Sequence, residues 1–301
     1  AGCGGQEAGG PRELKMGYVM APVGAAHEAA QKFADLVAEK TGGELTVKLF
    51  PSAALGTDRE LADGLTFGSV DVVLSGLASV SSYIPQYEVL EAPFAFRDYD
   101  HLRAVLEGEI GAEVDQALAE AKGIRILAWW PRGPRYLTTG KEVHTPADLE
   151  GMKLRVPELP TYIEAWRILG ANPTPITYSE MFMALKQDLV EGQENPLEVI
   201  YSTSLYDVQD YVIETKHLLS TYQLMVGQGL LDSLSEAHKT AVMEAAKEAA
   251  DYEFELMQQK ESEYVALLKE KGMTFIEVDR SLFREPVVNR LPEIFADRWA
   301  P

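Results

Sequence analysis

Apolar positions along the chain follow two periods that take turns. The segments ELKMGYVM (13–20) and ELTVKLFP (44–51) carry apolar residues at every second position, which predicts strands. Between them, AHEAAQKFADLVAEKTGG (26–43) repeats apolar residues at helical spacing through Ala30, Phe33, Leu36 and Val37, and the Gly42-Gly43 pair closes it. This is a β-α-β unit, whose strands should be parallel. A second helix is predicted over 57–70, with Asp58 as a cap, and a buried strand over 70–76. One or two helices should follow in 97–123, then the strand IRILAWW (124–130). Alternation of this kind predicts an α/β architecture with helices covering mostly parallel sheets.

After residue 130 the same grammar restarts. YLTTGKEV and MKLRVP read as short strands around the loop HTPADLEG; 160–170 and 179–190 read as helices, the second with Ser179 as a cap; and 212–234 contains strand material. The segment from Ser235 to Gly272 has no proline or interior glycine, which predicts a very long helix, kinked or spanning two domains. MTFIEVD follows as a last strand. The restart predicts two lobes with a ligand cleft between them, one built from 13–131 plus about 221–258 and the other from 132–220 plus about 259–301. At 301 residues the chain is long enough for two such cores.

Charge narrows the function. The formal net charge is −20, from 47 acidic and 27 basic residues. Nucleic acid is excluded as a partner, because phosphate contacts need a basic face. A small anionic ligand is not excluded, since salt screens diffuse surface charge within about 10 Å. The single cysteine, Cys3, stands in AGCGGQEAGG, a small-small-Cys start with a glycine-rich tether over residues 1–12. That context is similar to the lipidation site of a bacterial lipoprotein.

Catalytic motifs are lacking. There is no Gly-x-Ser-x-Gly elbow, no phosphate-cradling loop ending in Lys-Ser or Lys-Thr, and no pairing of the five histidines at metal-ligand spacing. Neither a metal nor a cofactor is implied. The polar residues that stand out are Arg135 and Arg155 on short strands and Gln193, Glu194 and Asn195 in EGQENP. A guanidinium at a strand end can hold a carboxylate bidentately or serve as a surface ion pair, and Asn before Pro is also a common turn residue. Arg132 is as well placed by spacing as Arg135.

The pieces LFPSAALGTDRELADGLTFGSVDVV (49–73), PFAFRDYDH (93–101), GPRYLTT (133–139), TPADLEGMKLRVP (145–157) and LGANPTPITYSEMFMALKQDLVEGQENPL (169–197), with the long helix from 235, carry a resemblance. The chain resembles the periplasmic solute-binding subunits of tripartite ATP-independent periplasmic (TRAP) transporters, of the dicarboxylate and sialic acid type. The resemblance implies a two-lobe periplasmic-binding-protein fold with a hinge. It implies a non-enzymatic protein that delivers an organic acid to a membrane permease. It also implies a location in the periplasm or on the extracellular face of the cytoplasmic membrane, where the lipoprotein-like context of Cys3 would add a lipid anchor. In that family the arginine of LRVP, here Arg155, holds the ligand carboxylate. Arg135 lines the same side, Asn195 hydrogen-bonds the acid, and Tyr178 packs on the ligand. The first-lobe candidates are the loop 20–28 with His27 and Glu28, the loop 75–79 with Ser75, and the pair Trp129-Trp130. Tyr178, the tryptophans and the serine loop favour a sugar acid such as a hexuronate over a C4-dicarboxylate or 2-oxo acid. The alternatives are an enzyme on a similar frame or a sensor subunit.

Overall fold

Two sheets organise the chain, and the first takes its strand Thr221–Gly227 from the later part of the sequence. The computed structural model describes residues 11–299, so Cys3 lies outside the described residues. The first half runs β1 (Arg12–Gly17), α1 (Ala25–Lys40), β2 (Leu45–Phe50), α2 (Asp58–Phe67), β3 (Val72–Gly76), α3 (Tyr99–Leu106), α4 (Glu109–Lys122) and β4 (Ile124–Pro131). The chain then passes through β5 (Arg135–Thr139), β6 (Lys153–Val156), α5 (Pro160–Ile168), β7 (Asn172–Pro175), α6 (Met181–Lys186), β8 (Gly192–Pro196), α7 (Leu197–Ser202) and β9 (Tyr211–Ile213). It closes with β10 (Thr221–Gly227), α8 (Gln228–Ser233), α9 (Glu236–Glu270), β11 (Thr274–Ile276) and α10 (Arg280–Ile294).

Strand order is β2-β1-β3-β10-β4 in lobe I and β11-β9-β5-β8-β6-β7 in lobe II. The β1-α1-β2 unit is parallel, as the crossover rule requires. The sheets as wholes are mixed, against the expectation of mostly parallel pairing. β10 is antiparallel to both β3 and β4, and β5 is antiparallel to both β8 and β9. The reason is connectivity: β10 returns from lobe II rather than from a helix on its own sheet, so the right-handed crossover that enforces parallel pairing is absent. The two strands that pass between lobes are tied to each other, Arg132 N–H donating to Ser220 O at 2.9 Å and Arg135 N–H to Leu218 O at 3.0 Å.

The long segment is one helix of 35 residues, opened by Ser235, whose hydroxyl accepts from His238 N–H. It spans the lobes. Val242, Ala245, Ala246 and Ala249 are buried in the lobe I core with Phe33 of α1, whereas Tyr264 and Leu268 are buried with Tyr136, Leu197 and Ile200 of lobe II. The buried residues of α9 are mostly alanine along lobe I and become larger, Tyr264 and Leu268, along lobe II. Two cap assignments are corrected. Thr57, not Asp58, caps α2 through a capping box with Glu60, which leaves the Asp58 carboxylate free to turn elsewhere. Ser179 does not cap α6, which begins behind a 3-10 turn over Tyr178–Glu180.

Because Ala249 is fully buried where α9 lies on lobe I, Ala249→Leu should overpack that contact and cost about 1–3 kcal/mol. Urea denaturation should show the loss, and no comparable loss for Met243→Leu, since Met243 is exposed on the same helix.

Candidate functional site

The strands β5, β6 and β8 deliver the cations and their partners to the cleft. Every residue of β8 is buried although its sequence is GQENP, so each polar side chain needs a partner inside the protein. Strand alternation puts Glu194 on one face and Gln193 with Asn195 on the other. Arg135 on the neighbouring strand is the diagonal neighbour of Glu194, and the pair is bidentate: Nε to Oε2 at 2.5 Å and Nη2 to Oε1 at 2.7 Å. His217 completes the group, with Nε2 at 3.0 Å from Glu194 Oε2 and Nδ1 at 2.8 Å from Thr215 Oγ1. Burial alone would raise the Glu194 carboxyl, but Arg135 and His217 bring it down to about 2. Burial works against the Arg135 charge too, and Glu194 outweighs it.

Arg155 is treated differently. It is 3% exposed, and its Nε donates to Ile176 O at 2.8 Å. Among the described residues no carboxylate lies within ion-pair distance of it. Burial lowers its pKa to about 10, an effect that Glu194 offsets only in part and that Arg135 deepens. A shift of that size corresponds to roughly 3 kcal/mol of uncompensated desolvation. The guanidinium keeps its charge at neutral pH, opens into the cleft and has no counter-ion there.

A cavity of about 270 Å³ lies between the lobes. Lobe II contributes Arg155, Asn195, Tyr178 and Arg135 to its wall, and lobe I contributes Met20, Asp58, Ser75 and Tyr222. The Tyr178 hydroxyl is buried there with no hydrogen-bond partner. Asn195 donates through Nδ2 to Gln193 Oε1 at 2.6 Å, which fixes its amide. Across the cleft, Ser75 Oγ donates to Asp58 Oδ1 at 2.5 Å. Burial raises the Asp58 carboxyl, against the pull of Ser75, Arg132 and Arg155. Arg132 sits on the segment between β4 and β5, its guanidinium 4.1 Å from the centre of the Tyr222 ring and its buried Nε without a partner.

The residues singled out in the sequence therefore separate. Arg155, Arg135, Asn195, Tyr178 and Ser75 come together around the cavity. Of these, Arg135 has its guanidinium occupied by Glu194. Three others lie outside the lining. His27 bonds Tyr18, Nδ1 to hydroxyl at 2.6 Å, and Glu28 pairs with Lys260 of α9. Trp130 is fully buried in the lobe I core. Asp58 and Tyr222 were not singled out for the site. A capped helix start leaves the next acidic residue unassigned, and that is the one signal that could have drawn attention to Asp58.

The description "bacterial extracellular solute-binding protein, family 7" fits residues 16–297, and the chain belongs to that family. It is similar to a TRAP periplasmic solute-binding protein from Roseobacter denitrificans solved with L-galactonate, at 37% identity and TM-score 0.90 over 93% of each chain. A second such protein from that organism, solved with β-D-glucuronate, is 32% identical with TM-score 0.89, over 95% of this chain and 96% of that one. The 2,3-diketo-L-gulonate-binding periplasmic protein of Escherichia coli is 33% identical over 94% of this chain and 87% of its own length. The chain is thus a TRAP-type solute-binding protein and not an enzyme.

The two arginines should part company in a denaturation experiment. Arg135→Met strands the buried Glu194 carboxylate and should cost about 3–5 kcal/mol. Arg155→Met removes a buried charge that has no ion-pair partner among the described residues and should leave stability unchanged or higher. Equal losses in the two variants would refute the assignment of one pair as structural and the other cation as free.

Proposed function

We propose that the cleft captures a hydroxylated monocarboxylate, a sugar acid of the hexonate or hexuronate class, and delivers it to a TRAP membrane permease. The observation that carries this reading is the buried, uncompensated guanidinium of Arg155. A ligand carboxylate bound bidentately there would supply the missing counter-charge, with Asn195 donating to the acid and Tyr178 packing on the carbon chain. Asp58 argues for the rest of the ligand. A carboxyl on the facing wall accepts hydrogen bonds from hydroxyls, with Ser75 beside it, and offers a second carboxylate no counter-charge. A C4-dicarboxylate is therefore disfavoured. The relatives solved with L-galactonate and β-D-glucuronate support the same chemistry.

Capture then follows from contacts with both walls. The carboxylate docks on lobe II, the hydroxyls reach lobe I, and only a ligand that touches both favours the shut cleft. We further propose that Cys3 is lipidated and tethers the protein to the outer face of the membrane. This rests on the sequence AGCGGQEAGG alone.

Calorimetry with L-galactonate, D-glucuronate and succinate tests the ligand class. The sugar acids should bind and succinate should bind at least a hundredfold more weakly. At 100 times its dissociation constant a sugar acid should add about 2.7 kcal/mol in a thermal-shift assay. Arg155→Met should lose hundreds-fold in affinity, since one partner of a buried charge pair is worth about 3–5 kcal/mol. Asp58→Asn should narrow the gap between sugar acid and succinate. Preference for succinate in the unmodified protein would overturn the reading. Cys3→Ser should release the protein from the membrane fraction, and unchanged partitioning would count against the anchor.

A further inference from the structure

Glu198 is the second residue of α7, directly behind the GQENP strand, and so belongs to lobe II. Its side chain reaches lobe I. It lies so close to Gly24 that a Cβ added there would stand 2.7 Å from the Glu198 Cδ. Gly24 is the N-cap of α1, has φ +88°, and gives that helix no side-chain cap. The Glu198 carboxyl comes up to the first turn of α1 instead, facing the Ala26 N–H. One lobe thus supplies the cap that the other lobe's helix lacks, and the carboxyl oxygens face the positive end of a helix of 16 residues.

We propose that Glu198 is an interlobe latch, the residue that holds lobe II on the N-terminus of α1 when the cleft is shut, and so a positioning residue for ligand capture. The two partners sit in different lobes, so any motion that separates the lobes breaks the cap and returns both groups to water. The latch therefore stabilises the shut state alone, and it does so without touching the ligand.

Several charged and titratable groups face Glu198. Arg132 approaches from the β4–β5 segment, Lys260, Glu253 and Tyr264 from α9, Glu28 from α1, Tyr222 from β10, and Tyr178 from the turn before α6. Burial raises the Glu198 carboxyl to about 7. Arg132, the Ala26 N–H and Lys260 pull it down, and Glu28 pushes it up. Glu253, buried alongside, is held well above the usual carboxylate range by burial and by Glu198. A separation of the lobes that returns Glu198 to water takes its carboxyl down toward the ordinary value of 4.5. Between these two values the shut state holds a proton that the open state does not. Falling pH therefore favours closure and rising pH opposes it, by about tenfold in the closure equilibrium between pH 8 and pH 6.

The test uses the full chain with Cys3→Ser, Phe67→Cys and Leu189→Cys, whose last two sites are exposed on lobe I and lobe II. Spin labels there report the interlobe distance, and stopped-flow measures L-galactonate dissociation. The unmodified latch should give slower dissociation and a larger short-distance population at pH 6 than at pH 8. Glu198→Ala should lengthen the distances and speed dissociation at both pH values. Glu198→Gln keeps an acceptor but cannot titrate, so it should hold the cleft shut and abolish the pH slope. Identical distances and rates for Glu198→Ala and the parent would overturn the latch, and so would a parental pH slope in Glu198→Gln. Should L-galactonate fail to bind the parent, the ligand class proposed above is wrong. The ligand-free distances still decide the latch: longer in Glu198→Ala supports it, unchanged overturns it.

Discussion

The bidentate pair of Arg135 with Glu194 sets the electrostatics on which the cleft depends. Two guanidiniums, Arg135 and Arg155, are buried near one another in lobe II, and Arg135 lowers the tendency of Arg155 to hold its proton. One carboxylate, braced by His217, is available between them. It is committed to Arg135 by strand register, because Arg135 and Glu194 are diagonal neighbours on one face of β5 and β8. That commitment leaves a surplus of one buried positive charge on Arg155. With both cations compensated, an anion would gain little on entering. With neither compensated, the lobe would bear two desolvated charges, each costing several kcal/mol. Among the described residues, pairing Arg135 with Glu194 while leaving Arg155 without an ion-pair partner keeps the lobe folded and the site anion-selective.

The architecture brings a complement to that cation from the other lobe. The chain leaves lobe I at β4, returns at β10, and binds the outgoing and returning segments to each other at Arg132–Ser220 and Arg135–Leu218. The third connection is α9, which is continuous and buried at both ends in different cores. Three connections allow the lobes to swing as bodies while the hydrogen-bonded crossing stays intact. Asp58 and Ser75 on one wall and Arg155 and Asn195 on the other are held by separate sheets. The distance between acceptor wall and cation wall is therefore the quantity that hinge motion changes.

Much of this was legible before the structure. Period-two and period-3.6 patterns located β1, α1, β2, β3 and β4, because each has a one-sided or uninterrupted apolar pattern, and the lack of proline and interior glycine located α9. The elements that escaped have their signal masked. β8 is fully buried but polar, since its side chains pair with Arg135, His217, Thr138 and one another and not with water. β7 contains two prolines and survives only as an edge strand beside β6. α10 holds Pro286 and Pro292 in its interior, which breaks the ordinary helix signal. For the site, LRVP and GQENP marked Arg155 and Asn195. Asp58 looked like a cap because local rules saw a helix start, and only the capping box of Thr57 with Glu60 shows that its carboxylate is released to the cleft. His27, Glu28 and Trp130 were drawn in by nearness in sequence to cleft loops. A turn of helix or one strand residue is enough to point such a side chain at the core or at α9 instead.

The formal charge of −20 bears on how an anion is taken up. At long range the protein repels such a ligand, and salt reduces that repulsion beyond about 10 Å. Steering therefore cannot raise the encounter rate, and discrimination has to lie in how long the ligand stays. Residence depends on two local terms. The first is the desolvated guanidinium of Arg155, which acts at contact distance where screening is weak. The second is closure, which removes water from both walls and strengthens that contact as the local dielectric falls. Affinity differences among acids should then appear as differences in dissociation rate. On that view the interlobe contacts matter as much as the ligand contacts, because whatever holds the cleft shut prolongs the state in which one buried cation outweighs a strongly acidic surface.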